Sequence, residues 1–176
     1  KVLVVHPTTP PPALEKALAG RFAGWVPEGG EVTAPPTPRA PTDDTRLAQI
    51  VFTSGSTGSP RGVMHTVRNV AASAQAIAES LDLRASDRGL VVLPLFYVYG
   101  KSVLNSHLRV GGSVFLDHRF LYPRVVMEGL AVSRCTNISG VPLTWELIKR
   151  QVDLRTVDLS SLRFVTQAGG AMAQET

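Results

Sequence analysis

The chain has 176 residues, 44% hydrophobic and 18% charged, enough to bury a core without disulfides or metals and too apolar for a wholly disordered chain. No uncharged apolar run approaches the ~20 residues of a membrane span, no signal-peptide pattern opens the chain, and a single cysteine, Cys135, excludes a disulfide framework or a cysteine-based zinc site. The net charge of +4 comes from basic residues scattered without blocks or interleaved aromatics, which argues for solvated surface charge rather than a nucleic-acid partner; the expectation is a reduced, cytoplasmic protein.

Residues 2–5, Val-Leu-Val-Val, read as a strand that begins directly after Lys1. There is no initiator methionine, and the chain stops at Gln174-Glu175-Thr176, where a new helix would begin. Both ends suggest a piece of a longer polypeptide. Nine of the 13 prolines lie in residues 7–41, so this stretch resists regular helix or central strand. A short helix fits residues 13–19. Residues 1–46 are therefore expected to be a strand followed by a Pro-rich surface connection. The strands on either side of it are expected to share one sheet.

From residue 47 the pattern is regular. Residues 47–53 read as a buried strand. Residues 66–82 carry apolar side chains three and four apart, an amphipathic helix with Thr66 as N-cap. Strands follow at 89–93, 113–116, 135–139 and 162–166. Helices follow at 99–110, closed by Gly111-Gly112, at 123–133, with proline in its first turn, and at 142–152. Short, continuously apolar strands alternating with helices predict an α/β fold, a parallel β-sheet with helices on both faces. Ligands bind such sheets at the carboxyl ends of strands, so the functional loops should follow Phe52, Leu93, Ser139 and Thr166.

The first of these loops reads Thr53-Ser54-Gly55-Ser56-Thr57-Gly58-Ser59-Pro60-Arg61-Gly62. Glycines let backbone N–H groups converge on an anion. Hydroxyls add donors, and arginine adds a charged fork for phosphate oxygens. Such a loop suits a polyphosphate, although it is no Walker A motif, and a flexible Gly/Ser turn would have the same composition. None of His6, His65, His107 and His118 shares a metal-ligand spacing, and no metal site is expected. His65 reads as structural, Cys135 as a buried, inert thiol, and Trp145, Leu147 and Ile148 as core.

Residues 50–63, IVFTSGSTGSPRGV, resemble the phosphate-binding signature of the adenylate-forming superfamily, which includes acyl- and aryl-CoA synthetases. Arg61 stands where that family usually has lysine, and Phe52 where it has tyrosine. Residues 93–100, LPLFYVYG, resemble its second motif, with Tyr97 at the place of the common histidine. Residues 137–142 and 159–171 are similar to two later segments. The resemblance covers residues 47–176 well and the preceding part loosely, and it implies the large N-terminal domain of an adenylate-forming enzyme. It implies that Thr53, Ser54, Gly55, Ser56, Thr57, Gly58 and Arg61 face the phosphates, with Arg61 catalytic. Gly169, Gly170 and Ala171 would border adenine and substrate, and Tyr97, Gly100 and Gly140 the acyl pocket.

The implied reaction is attack of a carboxylate on ATP, with Mg²⁺, to give an acyl-adenylate, and transfer of the acyl group to CoA. Tyr97 also fits a second reading, an aromatic plug filling the space a histidine would leave. Loading of a carrier protein's phosphopantetheine arm, and a non-catalytic nucleotide- or acyl-binding homologue, remain alternatives. The family's Mg²⁺-binding glutamate and C-terminal catalytic lysine fall outside these residues, so this piece alone is expected to be inactive.

Overall fold

The computed structural model describes residues 2–5, 22–26, 44–52 and 62–171. The chain divides into two units, residues 1–41 and 42–176. In the first, β1 (Val2–Val5) pairs in parallel with β2 (Phe22–Val26). The second strand lies within the stretch expected to be a Pro-rich surface connection. Its five residues, Phe-Ala-Gly-Trp-Val, are a short β-prone run lying between proline-dense stretches that dominate the reading of the region. The helix expected at 13–19 lies outside the described residues.

The second unit opens with β3 (Leu47–Phe52) and β4 (Gly62–Thr66), an antiparallel pair in which Gln49 faces His65 and Val51 faces Val63. The strand expected at 47–53 is present, but it belongs to this pair and is not the buried strand expected, Leu47 being 56% and Ile50 49% exposed. Among the described residues of this unit it is not hydrogen-bonded to the parallel strands. β4 gave no burial signal in the sequence because its apolar side chains face outward, Met64 being 71% exposed.

Thr66 then caps α1 (Val67–Ser80) as expected. Its hydroxyl oxygen accepts from Asn69 N–H at 3.2 Å, and Asn69 Oδ1 accepts from Thr66 N–H at 3.0 Å. The order continues β5 (Arg88–Val91), α2 (Val98–Arg109), β6 (Ser113–Leu116), α3 (Pro123–Val132), β7 (Asn137–Gly140), α4 (Pro142–Gln151) and β8 (Phe164–Gln167). A three-residue 3₁₀ turn, Leu154–Thr156, links the last two. Gly111 follows α2 with φ +77°, the left-handed conformation that ends many helices.

The four strands β6-β5-β7-β8 form one parallel sheet flanked by helices. On one face Leu90, Val92 and Ile138 meet Val126, Met127 and Leu130 of α3 and Ile148 of α4. Cys135 lies in this cluster, and burial pushes its thiol up to about 11, which leaves it inert.

At the amino ends of the strands, Arg163 holds Asp87 at 2.5 Å, and Asp87 Oδ2 also accepts from Arg84 N–H at 2.8 Å. Burial alone would raise the Asp87 pKa. The Arg163 guanidinium and the Arg84 N–H outweigh it and hold the carboxyl below its ordinary value.

Candidate active site

The loops leaving β5, β7 and β8 converge at the carboxyl end of the sheet. The chain turns out of β5 through Leu93-Pro94, with Tyr97 N–H donating to Pro94 O at 3.0 Å, and then enters α2. Gly100, in the first turn of that helix, lies so close to the preceding backbone that a Cβ would fall 2.6 Å from Leu93 O and 2.7 Å from Pro94 O. Only glycine allows α2 to leave the strand at this point.

Gly140 ends β7 against Thr144 and Trp145 of α4, and its carbonyl accepts from Ala168 N–H at 3.3 Å. Gly169 has φ +85°, a conformation β-carbon-bearing residues rarely adopt, and a Cβ there would sit 3.2 Å from Tyr97 Oη. Gly170 borders Pro142 in the same way, and its carbonyl accepts from Gln167 Nε2 at 2.5 Å. The structure thus brings Tyr97, Gly140, Gly169 and Gly170 together, while Gly100 lies against the Leu93 and Pro94 backbone and Ala171 is exposed. Thr53, Ser54, Gly55, Ser56, Thr57, Gly58 and Arg61 lie outside the described residues; the hairpin strands on either side of them are described.

Beside these loops a largely apolar cavity of about 380 Å³ opens between α1, α2 and the other face of the sheet. Its walls include Ile77, Leu81 and Val103. One polar line crosses it. Tyr99 Oη lies 2.9 Å from Thr166 Oγ1, and Thr166 Oγ1 donates to Ser139 Oγ at 2.8 Å. With that proton committed, Tyr99 is the donor to Thr166 and the Ser139 hydroxyl hydrogen closes the series.

At the base of the cavity His107 is 2% exposed. Its Nδ1 is 2.8 Å from Val103 O, which can only accept, so that nitrogen carries the proton. Nε2 then accepts from Asn137 Nδ2 at 2.9 Å. A buried imidazole engaged at both nitrogens is a structural group. Gly89 leaves the room it needs, since a Cβ there would meet the ring at 2.7 Å.

The sequence reading missed Tyr99, Ser139 and Thr166. Tyr97 does not line the cavity; Tyr99, two residues on, does. A signal was present in β7, Asn-Ile-Ser-Gly, where polar side chains recur every second residue in a buried strand and so share one face. Among the described residues no three His, Cys, Asp or Glu side chains come together as a metal site, and no helix is long and apolar enough to cross a membrane.

A parallel sheet whose strand-end loops are closed by glycines beside an apolar cavity is the architecture of an α/β ligand-binding domain. The chain belongs to the AMP-binding enzyme family, whose model matches residues 2–176. It is 36% identical over 139 residues to a feruloyl-CoA synthase from Amycolatopsis sp, covering 78% of this chain and 27% of that protein. The o-succinylbenzoate CoA synthetase of Bacillus subtilis, solved with its acyl-adenylate OSB-AMP, matches at 31% identity and a TM-score of 0.66, over 73% of this chain and 33% of that one. The same synthetase with ATP and magnesium ion matches at a TM-score of 0.65 and 31% identity, over 73% of this chain and 26% of that one. The chain therefore spans about a quarter to a third of the length of these relatives.

Proposed function

We propose that the protein containing this chain activates a carboxylic acid with ATP, forming an acyl-adenylate and pyrophosphate, and passes the acyl group to the thiol of CoA. Residues 47–176 would supply part of the nucleotide and acyl sites. The observation that carries the reading is the apolar cavity crossed by Tyr99, Thr166 and Ser139, opening beside the glycines at the strand ends. Such a space suits the hydrocarbon or aryl part of an acid, with few polar groups to orient it.

The backbone at Gly169 and Gly170 presents no side chains, which suits close approach of a flat adenine or of the acyl carbonyl. The loop at 53–61 would hold the triphosphate with backbone and hydroxyl donors. Arg61 would neutralise charge as pyrophosphate leaves. A magnesium ion would be held mainly by the phosphates, as is usual for nucleotide-bound Mg²⁺.

ATP–pyrophosphate exchange in the intact protein, run across fatty, aryl and amino acids, tests the reading. Exchange is expected with a fatty or aryl acid. Arg61→Ala should slow it by roughly 10²–10³, the typical cost of removing one preorganised charge-stabilising donor, whereas Arg61→Lys should retain much of the rate. No exchange with any acid, or an alanine variant at the wild-type rate, overturns it.

A further inference from the structure

A second cavity, of about 390 Å³, lies on the other flank of α2, between α1 and the β3–β4 pair. Its polar lining comprises Gln49, His65, Asn69, Ser73, Lys101, Ser102 and Asn105, with no carboxylate among them. Lys101 is half-buried and has no counter-ion among the described residues. A lysine drawn partly out of water is ordinarily paired with an anion.

Hydrogen-bonding commitments sharpen the point. Gln49 Nε2 lies 3.0 Å from His65 Nδ1. With the amide nitrogen donating, the ring proton sits on Nε2 and is the remaining donor. Asn69 Oδ1 accepts both from Thr66 N–H at 3.0 Å and from Thr66 Oγ1 at 2.9 Å, which leaves its amide hydrogens. The Ser102 hydroxyl is spent on Tyr99 O at 2.8 Å. The side chains of Ser73 and Asn105 have no partner among the described residues. The uncommitted groups of this cavity are thus one cation and an excess of donors.

We propose that this cavity binds a small oxyanion, the carboxylate or phosphate group of a low-molecular-weight ligand, with Lys101 as its charge and His65 and Asn69 as donors. The inference is independent of the function proposed above, because neither the residues at the strand-end loops nor Tyr99 enter it.

Calorimetric titration of the intact protein with inorganic phosphate and, separately, with succinate provides the test. It is carried out in an Arg61→Ala background so that the loop at 53–61 contributes little. At least one of the two anions should bind, and the arm that binds more tightly identifies the head group. Lys101→Met, close in length and uncharged, should weaken binding at least about tenfold, the loss of one charge-assisted hydrogen bond. Lys101→Arg should retain most of the affinity, with the melting temperature of both variants showing that they fold. Absence of binding of either anion at tens of millimolar overturns the proposal. So does Lys101→Met binding as tightly as its parent, or equal losses in the methionine and arginine variants.

Discussion

The two faces of the four-stranded sheet carry opposite chemistry although the same strands supply both. On β7 Ile138 points into the cluster with Leu130, Met127 and Val126, while Asn137 and Ser139 point toward the cavity beneath α2. Register extends the division across the sheet, since Leu90 pairs with Ile138, and Gly89 and Val91 pair with Asn137 and Ser139. One face is filled by hydrocarbon and held by dispersion and the hydrophobic effect. The other is held by a few directed hydrogen bonds around a space. The difference teaches that stability and ligand binding are separable here by the period-two alternation of a strand.

The sharpest way to break this division is to hollow the filled face. Leu130 is fully buried, and Leu130→Ala should cost about 2–5 kcal/mol, the range for a buried leucine that leaves a cavity. Chemical denaturation measures it. While the protein remains folded, acid specificity should be unchanged, and a shifted specificity would show that the two faces are not independent.

A smaller effect is expected at the amino ends of the strands, where Asp87 anchors Arg163. Arg163→Ala should destabilise the protein because it leaves the buried Asp87 carboxylate without its guanidinium partner, and by less than the loss of a fully buried pair, because the Arg163 side chain is 31% exposed. The sign of the pH dependence follows from the Asp87 carboxyl, whose pKa in the folded protein lies below its ordinary value of 3.8. Its contribution to stability is present above about pH 4 and is lost as pH falls through the lowered value. In Arg163→Ala burial acts with less opposition and the carboxyl pKa moves upward. The deficit of the variant should therefore shrink on acidification below about pH 5, as the now poorly paired carboxylate is neutralised. Denaturation midpoints of both proteins between pH 3 and 7 check this, and a deficit constant over that range would refute it.

The smallest effect probes the open face. Tyr99→Phe removes the hydroxyl that donates to Thr166 and should cost about 0.5–1.5 kcal/mol of stability, the net value of one hydrogen bond. It should also alter the ratio of kcat/KM between acids that carry a polar substituent and those that do not, with little change in KM for ATP. An unchanged ratio would show that this hydroxyl serves packing alone.

Most of the second unit was legible in the sequence, because apolar spacing, the Thr66 cap and Gly111 are local signals. β6 falls at the expected residues, and the four helices lie within two residues of their expected ends. Pairing partners were not legible. β3 reads as a buried strand in isolation, and nothing within it says that its neighbour is an antiparallel strand whose methionine faces water. In the candidate site the glycines at 100, 140, 169 and 170 were reached through the family resemblance, and the structure adds the physical reason at two of them, the backbone approach at Gly100 and the positive φ of Gly169. Tyr99, Ser139 and Thr166 were not reached, since a hydroxyl on an otherwise apolar element gains meaning only when another hydroxyl from a distant strand lies within 3 Å of it.

The tight passage at Gly100 bears on how this segment can change over generations. Phe96 and Val98, just before it, are 83% and 48% exposed and free of such confinement, so the stretch tolerates drift in the side chains that lead up to one closed position. Any replacement at Gly100 drives a carbon into two carbonyl oxygens of the backbone, an obstacle that no rotamer change relieves. Mutational descent through this segment is therefore channelled. Under the proposed function, the acids a descendant could accept would be adjusted at cavity-lining positions such as Tyr99 and Val103, whereas the direction in which α2 leaves the sheet is inherited unchanged.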